Sequence, residues 1–272
     1  MRTAFNHKPV HPNECYVMDL ANLGISVLQA YLESIPHISK NFEFTNHYFP
    51  LLLGESWFFS SPVEEILATD PDIAGLSCYV WNQEAMYALA GELKKAKPGI
   101  KIVMGGHIPT VQPRKVLKDH PAVDVAVKGE GEVPFRMILE RDFKDLGSIP
   151  GIAFRNCGDV VETGPPYFIE DLSLLPSPYV TGLAPREAFR LPHDGSQKVN
   201  RIFMEIDRGC PYRCAYCTSI ARTIEYRRFP MERIRDELIW AGKNDIEDLF
   251  LYSSNIDPRK VNFQELKRNI NE

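Results

Sequence analysis

The sequence has no apolar run long enough to cross a bilayer, and its first residues, Met1-Arg2-Thr3-Ala4-Phe5, are not followed by the apolar core of a signal peptide. These two absences predict a cytoplasmic protein without a membrane partner. Neither sign of charge dominates, since the chain has 31 Lys and Arg residues and 36 Asp and Glu residues. With 44% hydrophobic and 25% charged residues, the composition is that of an ordinary globular chain.

A basic stripe of the kind that binds nucleic acid is also absent. The nearest approach to one is Arg227, Arg228, Arg233 and Arg235, and no interleaved aromatic residues accompany these arginines as a stripe. We therefore expect them to be solvated charges on loops and a helix, and we predict no nucleic-acid partner.

Cysteine is sparse and unevenly placed, with six residues in the whole chain. Cys210, Cys214 and Cys217 fall close together, and a chain without a secretion signal keeps such thiols reduced and available to metals. The other cysteines are scattered through predicted strands and turns, and we expect inert buried thiols there. They are Cys15, Cys78 and Cys157.

The clustered cysteines form a CxxxCxxC run from Cys210 to Cys217. Three thiolates at this spacing can hold three corners of a cubane iron–sulfur cluster and leave the fourth iron open, whereas a simple electron relay usually takes four cysteines. Zinc sites favour paired CxxC knuckles, and a zinc reading would need a distant fourth ligand such as His193. A set of purely structural thiols is the third alternative.

Upstream of this run, short β-branched or aromatic runs alternate with amphipathic stretches, which is typical of an α/β fold with a parallel sheet. Helical spacing of apolar residues predicts a helix over residues 24–35 and another that contains Met86, Leu89 and Leu93. The predicted strands cover residues 15–19, 42–46, 73–79, 101–104 and 123–127.

The loops after three of these strands are rich in small residues. Parallel sheets bind ligands outside the carboxyl ends of their strands, and glycines there allow a bulky ligand to approach the backbone. Tyr79 and Trp81 follow one of these strands and could contact such a ligand or simply pack. The candidate binding residues are Ser77, Gly105, Gly106, His107, Gly129, Glu130 and Gly131.

The segment around the cysteine run also reads as β and α structure. Residues 202–206 predict a strand, residues 207–209 a turn, residues 231–241 a helix and residues 248–252 a second strand. The polar residues Ser253, Ser254 and Asn255 come directly after that second strand.

Together, the glycine loops and the downstream CxxxCxxC run resemble the cobalamin-binding class of the radical S-adenosylmethionine (radical SAM) superfamily. The resemblance covers residues 14–136 as a corrinoid-binding domain and extends through a hairpin at 149–155 and a joining segment at 171–179. It implies a Rossmann-like (flavodoxin-like) cobalamin-binding domain over residues 1–140, a hairpin and linker over 141–198, and the first βα units of a radical SAM partial TIM barrel over 199–272.

The resemblance also implies cofactors and their ligands. Cys210, Cys214 and Cys217 would hold a 4Fe-4S cluster that cleaves S-adenosylmethionine to a 5′-deoxyadenosyl radical, and Tyr216 would lie beside the adenine. Ser253, Ser254 and Asn255 stand where the family contacts the amine of S-adenosylmethionine, although the carboxylate common at that position is absent. The glycine-rich loops would hold cobalamin.

One departure from the family concerns the lower face of the corrinoid. Many cobalamin domains carry a DxHxxG segment whose histidine coordinates cobalt, and the corresponding Asp19-Leu20-Ala21-Asn22-Leu23-Gly24 has alanine in place of histidine. The resemblance therefore implies cobalt that is open or water-ligated beneath.

The expected function is that of a cobalamin-dependent radical SAM enzyme that transfers a methyl group to an unactivated carbon of a small molecule or peptide, with a flavodoxin-type or ferredoxin-type electron donor. Related enzymes cyclise or rearrange their substrates. The alternatives are a non-catalytic corrinoid-binding subunit or truncated product, and a radical SAM enzyme whose Rossmann-like domain no longer binds cobalamin. Only 55 residues follow Cys217, whereas a partial barrel of six βα units needs roughly 180, so we expect a longer enzyme or a second chain to complete the barrel.

Overall fold

A computed structural model describes residues 2–3, 21–47, 60–183, 190–193, 197–212, 214–217 and 225–253. The predicted strand at 15–19 and the candidate site residues Ser254 and Asn255 lie outside these ranges. The chain divides into two compact units. The first contains Leu32–Ile169 with the strand at residues 2–3, and the second contains Asn22–Tyr31 and the residues from Glu170 onward.

The first unit is built around a mixed sheet in the order β2-β1-β3-β4-β5-β6-β7. Strands β2, β1, β3, β4 and β5 are parallel, and the β6–β7 hairpin adds to β5 in the antiparallel sense. The strands are β1 Arg2–Thr3, β2 Glu43–Phe44, β3 Ile73–Ser77, β4 Lys101–Gly105, β5 Val125–Val127, β6 Ile152–Asn156 and β7 Asp159–Glu162. The predicted α/β class with a parallel sheet is confirmed for the region before the hairpin.

Helices cover this sheet because their apolar residues recur at helical spacing. Helix α4 buries Leu89, Ala90 and Leu93 in the same core as Ile102 and Met104 of β4. The predicted helix around Met86 is confirmed as α4, and the helix predicted at 24–35 is confirmed as α1, most of which belongs to the second unit. The helices that precede the hairpin are α1 Ala21–Glu33, α2 Pro36–Asn41, α3 Ser60–Leu67, α4 Gln83–Ala96, α5 His107–Val111, α6 Pro113–Asp119 and α7 Glu132–Glu140.

Three of the described strands are shorter than the sequence pattern suggests: β2 covers Glu43–Phe44 alone, and single hydrogen bonds mark where β3 ends and where β5 begins. Strand β3 ends at Ser77, since the side-chain amide of Asn82 donates to the Ser77 carbonyl at 2.9 Å. Strand β5 begins only at Val125, because the Val123 amide closes a turn onto the His120 carbonyl at 3.1 Å.

The second unit contains one parallel βαβ arrangement within its described residues. Strands β9, Gln197–Glu205, and β12, Asp248–Tyr252, pair in parallel, and helix α8, Met231–Lys243, lies between them in the chain. The strands and the helix predicted here are confirmed. The smaller elements are β8 Arg190–His193, antiparallel to β9, and the two-residue strands β10 Asp207–Arg208 and β11 Arg227–Arg228, which pair with each other.

Helix α8 carries a buried ion pair, so the expectation of a solvated Arg233 was wrong. The Arg233 Nε donates to Glu237 Oε1 at 3.1 Å, and the side chains of Arg233 and Glu237 are 10% and 1% exposed. The Arg233 guanidinium also stacks 3.9 Å from the Phe229 ring centroid and donates to the Leu175 carbonyl. Arg228 and Arg235 are exposed as expected.

Hydropathy gives no transmembrane candidate in the described part of the chain, where no helix is both long and apolar enough to cross a bilayer.

Candidate functional site

The carboxyl ends of β3, β4 and β5 bring three of the predicted binding loops to one edge of the first unit's sheet. Ser77 and Gly105 are paired neighbours on β3 and β4, and both are half-buried. His107 begins helix α5 and is also half-buried, directly beyond Gly106. The sequence prediction that these loops share one edge is therefore met by the strand register.

The loop after β3 is fixed by Asn82, which the sequence analysis did not single out. Its Oδ1 accepts from the Tyr79 amide at 2.7 Å, while its Nδ2 donates to the Ser77 carbonyl. Asn82 is only 6% exposed, so its amide group serves this loop rather than solvent. An Asn directly before an amphipathic helix is the signal that points to such a loop-bracing residue.

The loop after β4 lies against the backbone of the loop after β3. Gly106 has a φ of +104°, and a Cβ there would come within 2.6 Å of the Cys78 carbonyl oxygen. The Cys78 amide donates to the Gly105 carbonyl at 2.8 Å, and the Ile108 amide donates to the Cys78 carbonyl at 3.2 Å. Gly106 thus has a structural reason to be glycine, independent of any ligand.

The loop after β5 is fixed in the same way. Gly129 has a φ of +83°, and a Cβ there would lie 2.3 Å from the Tyr167 carbonyl oxygen. Glu130 is engaged with the chain itself, because its Oε2 accepts from the Ile169 amide at 2.7 Å. Gly131 differs, since its φ is −81° and a Cβ there would meet nothing within 4 Å.

Thr110 links the loops after β4 and β5. Its buried hydroxyl donates to the Gly106 carbonyl at 2.7 Å and accepts from the Gly129 amide at 3.0 Å. This residue was also missed, because an isolated threonine in a short helix carries no pattern in the sequence.

The edge that results could accommodate a bulky, partly apolar group. Gly105, like Gly131, has open space where a Cβ would be. Val80 and Trp81 are exposed to 64% and 38%, and the Trp81 ring stacks on Tyr79 with centroids 4.8 Å apart. The open glycine positions and the exposed apolar side chains suit a flat organic cofactor such as a corrinoid, which is the fit that the resemblance requires.

The cysteine run lies beyond β10 in the second unit. Cys210, Cys214 and Cys217 are half-buried, and the Cys217 amide donates to the Cys214 carbonyl at 3.1 Å. Within the described residues, no three or more His, Cys, Asp and Glu side chains are grouped closely enough to hold a metal ion. The donor set, three soft thiols on one short loop, suits an iron–sulfur cluster, and their convergence stays a prediction.

Two further predicted contacts with S-adenosylmethionine are Tyr216, inside the run, and Ser253, which contacts Asp207 three residues before the run. Tyr216 is 88% exposed, and a side-chain hydrogen bond with Cys214 raises the pKa of its phenol. Ser253 follows β12, and its Oγ lies 2.7 Å from both carboxylate oxygens of Asp207. A carboxylate only accepts, so the Ser253 hydroxyl donates to Asp207.

The scattered cysteines differ from one another. Cys78 is fully buried, and burial raises the pKa of its thiol to about 12, which fits the expected inert thiol. Cys157 is exposed, with a φ of +49° at the turn of the β6–β7 hairpin, so the expectation of a buried thiol there was wrong. The sequence signal was the turn itself, Cys157-Gly158-Asp159, which demands surface exposure. Cys15 lies outside the described residues, as does the side chain of His193.

Comparison with known proteins agrees with this architecture. Residues 13–139 match the B12 binding domain family. The chain is 34% identical over 247 residues to 2-(S-pantetheinyl)-carbapenam-3-carboxylate methyltransferase of Streptantibioticus cattleyicolor, a match that covers 86% of this chain and 34% of the relative. It is 32% identical over 248 residues to the cobalamin-dependent radical SAM methyltransferase TokK of Streptomyces tokunonensis, covering 88% and 35% of the two chains.

A solved structure shares the fold. The cobalamin-dependent S-adenosylmethionine radical enzyme OxsB, with aqua-cobalamin and S-adenosylmethionine bound, superimposes with a TM-score of 0.67 at 19% identity, over 99% of this chain and 36% of that one. The chain spans about a third of the length of these relatives.

Proposed function

We propose, on the premise that this chain carries the B12-binding domain of the cobalamin-dependent radical SAM enzymes and is related to their methyltransferases, that it binds cobalamin in its first unit and a 4Fe-4S cluster in its second. The function we infer is methyl transfer to an unactivated carbon that depends on S-adenosylmethionine. The observation that carries the proposal is the match of residues 13–139 to the B12 binding domain family. The loops at the sheet edge of this region are already held in place.

The chain's own residues have two tasks at the corrinoid edge. Gly105 and Gly131 leave room for the cofactor, and Asn82 and Thr110 keep the surrounding loops in place before it binds. Because the loops are hydrogen-bonded to one another, little conformational entropy is lost on binding, which favours affinity.

In the second unit, Cys210, Cys214 and Cys217 are the proposed cluster ligands, and Tyr216 and Ser253 to Asn255 are the proposed neighbours of S-adenosylmethionine. When bound, the corrinoid supplies methyl-carrying cobalt and the cluster supplies one-electron cleavage of S-adenosylmethionine. The cluster requires an external one-electron donor of the flavodoxin or ferredoxin type. The substrate, a small molecule or a peptide, and the remaining barrel strands belong to the proposal for the whole enzyme.

Anaerobic reconstitution tests the proposal. The protein is loaded with iron, sulfide and hydroxocobalamin, and bound iron and cobalt are measured together with 5′-deoxyadenosine release. We expect about four irons per chain and one cobalt. Cys214→Ala should lose iron and keep cobalt, whereas the matched Cys157→Ala, in the other unit, should keep both.

Other outcomes separate the alternatives. Zinc in place of iron would refute the cluster. Cobalt without deoxyadenosine would favour a corrinoid-binding accessory role, and iron without cobalt would favour a radical SAM protein whose first unit no longer binds cobalamin.

A further inference from the structure

Asp207 is a buried carboxylate placed just upstream of the cysteine run. It lies on β10, three residues before Cys210, and is only 2% exposed. A buried ionised group costs free energy unless it is paired and hydrogen-bonded, so its partners show what it does in the fold.

Hydroxyls from two separate segments donate to this carboxylate. Ser253 Oγ lies 2.7 Å from each of its oxygens, and the Tyr226 hydroxyl lies 3.0 Å from Oδ2. Ser253 stands at the carboxyl end of β12, and Tyr226 stands directly before β11, on the far side of the cysteine run. Hydrogen bonds to an ionised acceptor are about twice as strong as neutral ones. We call Asp207, Ser253 and Tyr226 the Asp207 network.

The surroundings keep Tyr226 suited to donate. Burial raises the pKa of its phenol, Asp207 raises it further, and the Arg228 guanidinium opposes the rise. Arg228 Nε donates to the Tyr226 hydroxyl oxygen at 3.3 Å, which leaves the phenolic hydrogen for Asp207. The backbone closes the same loop, since the Phe229 amide donates to the Ile206 carbonyl at 3.2 Å.

We propose that Asp207 is a positioning residue that holds both ends of the cysteine run against the carboxyl end of β12. This inference rests on the proposed role of Cys210, Cys214 and Cys217 as cluster ligands. The described residues of the run form neither helix nor strand, and the Cys217 amide closes a turn onto the Cys214 carbonyl. A loop that must bring three thiolates together therefore gains from a tether at both of its ends, and Asp207 supplies one through a single carboxylate.

The test alters the acceptor or removes one donor, one at a time, and measures thiol reactivity before any metal is added. In iron-free protein, the rate of iodoacetamide labelling at Cys210, Cys214 and Cys217 is measured relative to Cys157, the exposed thiol of the other unit. We expect Asp207→Asn and Tyr226→Phe to raise the relative rate at least about threefold, because the loop opens more often. The iron bound per chain after reconstitution should fall in both variants.

Tyr179→Phe is the matched control, because it also removes one tyrosine hydroxyl from the second unit. The Tyr179 hydroxyl donates to the Phe203 carbonyl within β9, and the bond involves neither Asp207 nor a residue of the cysteine run. This variant should lower the melting temperature and leave both the labelling rates and the iron content unchanged. If it raises the labelling rates as much as Tyr226→Phe, Asp207 serves general stability only and the proposal is overturned.

The same measurements keep this inference separate from the proposed function. Wild-type protein that takes up no iron, while Asp207→Asn still accelerates labelling, would refute the cluster and support the positioning role. Full iron content and unchanged labelling in Asp207→Asn would refute the positioning role and leave the cluster standing.

Discussion

The two candidate cofactor sites differ in what fixes their loops. At the sheet edge of the first unit, glycine backbone packs directly on other backbone, Gly106 on Cys78 and Gly129 on Tyr167, and neutral side chains of Asn82 and Thr110 add hydrogen bonds. Around the cysteine run of the second unit, titratable side chains make the contacts, with Asp207 between two hydroxyls and Arg208 paired with Glu205 at 3.1 Å.

This difference determines which substitutions each site tolerates. A backbone-packed edge depends on the absence of side chains at its glycines, so it should be sensitive to atoms added there and less responsive to pH than a site held by charges, of which this edge has the Glu130 contact with the Ile169 amide. A site held by charged side chains depends on their protonation and on each partner, so it should respond to pH and to the removal of a single group.

The largest effect is expected from Arg233→Ala in the second unit. The change leaves Glu237 buried without its cation, and breaking a buried pair from one side costs about 3–5 kcal/mol. Burial already raises the pKa of Glu237 against the opposing effects of Arg233 and Ser177. Without the arginine, the pKa of Glu237 should rise further.

The pH dependence of that variant follows from the sign of the shift. A carboxyl whose folded-state pKa exceeds its unfolded value binds protons more tightly when folded, so stability falls as pH rises between the two values. The deficit of Arg233→Ala in the free energy of unfolding should therefore shrink on acidification, and Glu237→Gln should partly rescue it. Denaturant titrations at several pH values check this, and a deficit independent of pH would contradict it.

A smaller but still large loss is expected from Gly129→Ala in the first unit. A non-glycine residue in a left-handed conformation costs about 1–3 kcal/mol, and the added Cβ would also meet the Tyr167 carbonyl oxygen at 2.3 Å. Thermal unfolding measures the loss.

Gly131→Ala, two residues further on, is the matched control. Its φ is negative and its Cβ position is open, so the substitution, which falls at the N-cap of α7, should cost about 1 kcal/mol or less, below the loss in Gly129→Ala. If Gly131→Ala also keeps full cobalt, this glycine does not face the corrinoid.

These comparisons also show how much of the fold could be predicted from the sequence. Periodicity and apolar runs located the helix at residues 231–241 and the strands at 101–104 and 248–252, because burial of a face leaves a regular pattern. The ends of the strands were harder to predict from the sequence, since Asn82 and the turn before Val125 set them through single hydrogen bonds.

The candidate sites divide along the same line. The loops were predictable from strand order, but Thr110 and Asp207 were not, because a lone polar residue gives no sign of its partners far along the chain. Arg233 was misjudged partly for the same reason: Leu175, whose carbonyl it bonds, is far away in the chain, whereas Phe229 and Glu237 are near in sequence and were overlooked. Whether an Arg is solvated depends on tertiary neighbours that periodicity does not show.

An intermediate effect is expected from Thr110→Val, which removes the side-chain link between the loops after β4 and β5. The change leaves the Gly129 amide without its acceptor and removes one hydrogen bond to the Gly106 carbonyl, at a cost of about 1–3 kcal/mol. Bound cobalt should fall with it, since both loops border the corrinoid edge. Thr110→Ser keeps the hydroxyl and should keep most of the stability and the cobalt; unchanged stability and cobalt in Thr110→Val would show that these hydrogen bonds do not matter there.

The smallest effect is expected from Cys157→Ser, which tests whether a thiol outside both sites matters at all. Cys157 is exposed, so the free energy of unfolding should change by less than about 0.5 kcal/mol, with iron and cobalt unchanged. Cys78 should behave in the opposite way in a labelling experiment. It is fully buried and the pKa of its thiol is raised to about 12, so at pH 8 it should resist iodoacetamide while Cys157 reacts. Peptide mass spectrometry separates the two. Fast labelling of Cys78 in the folded protein would mean that the loop after β3 opens readily, and the backbone-fixed edge of the first unit would then be no more rigid than the cysteine run.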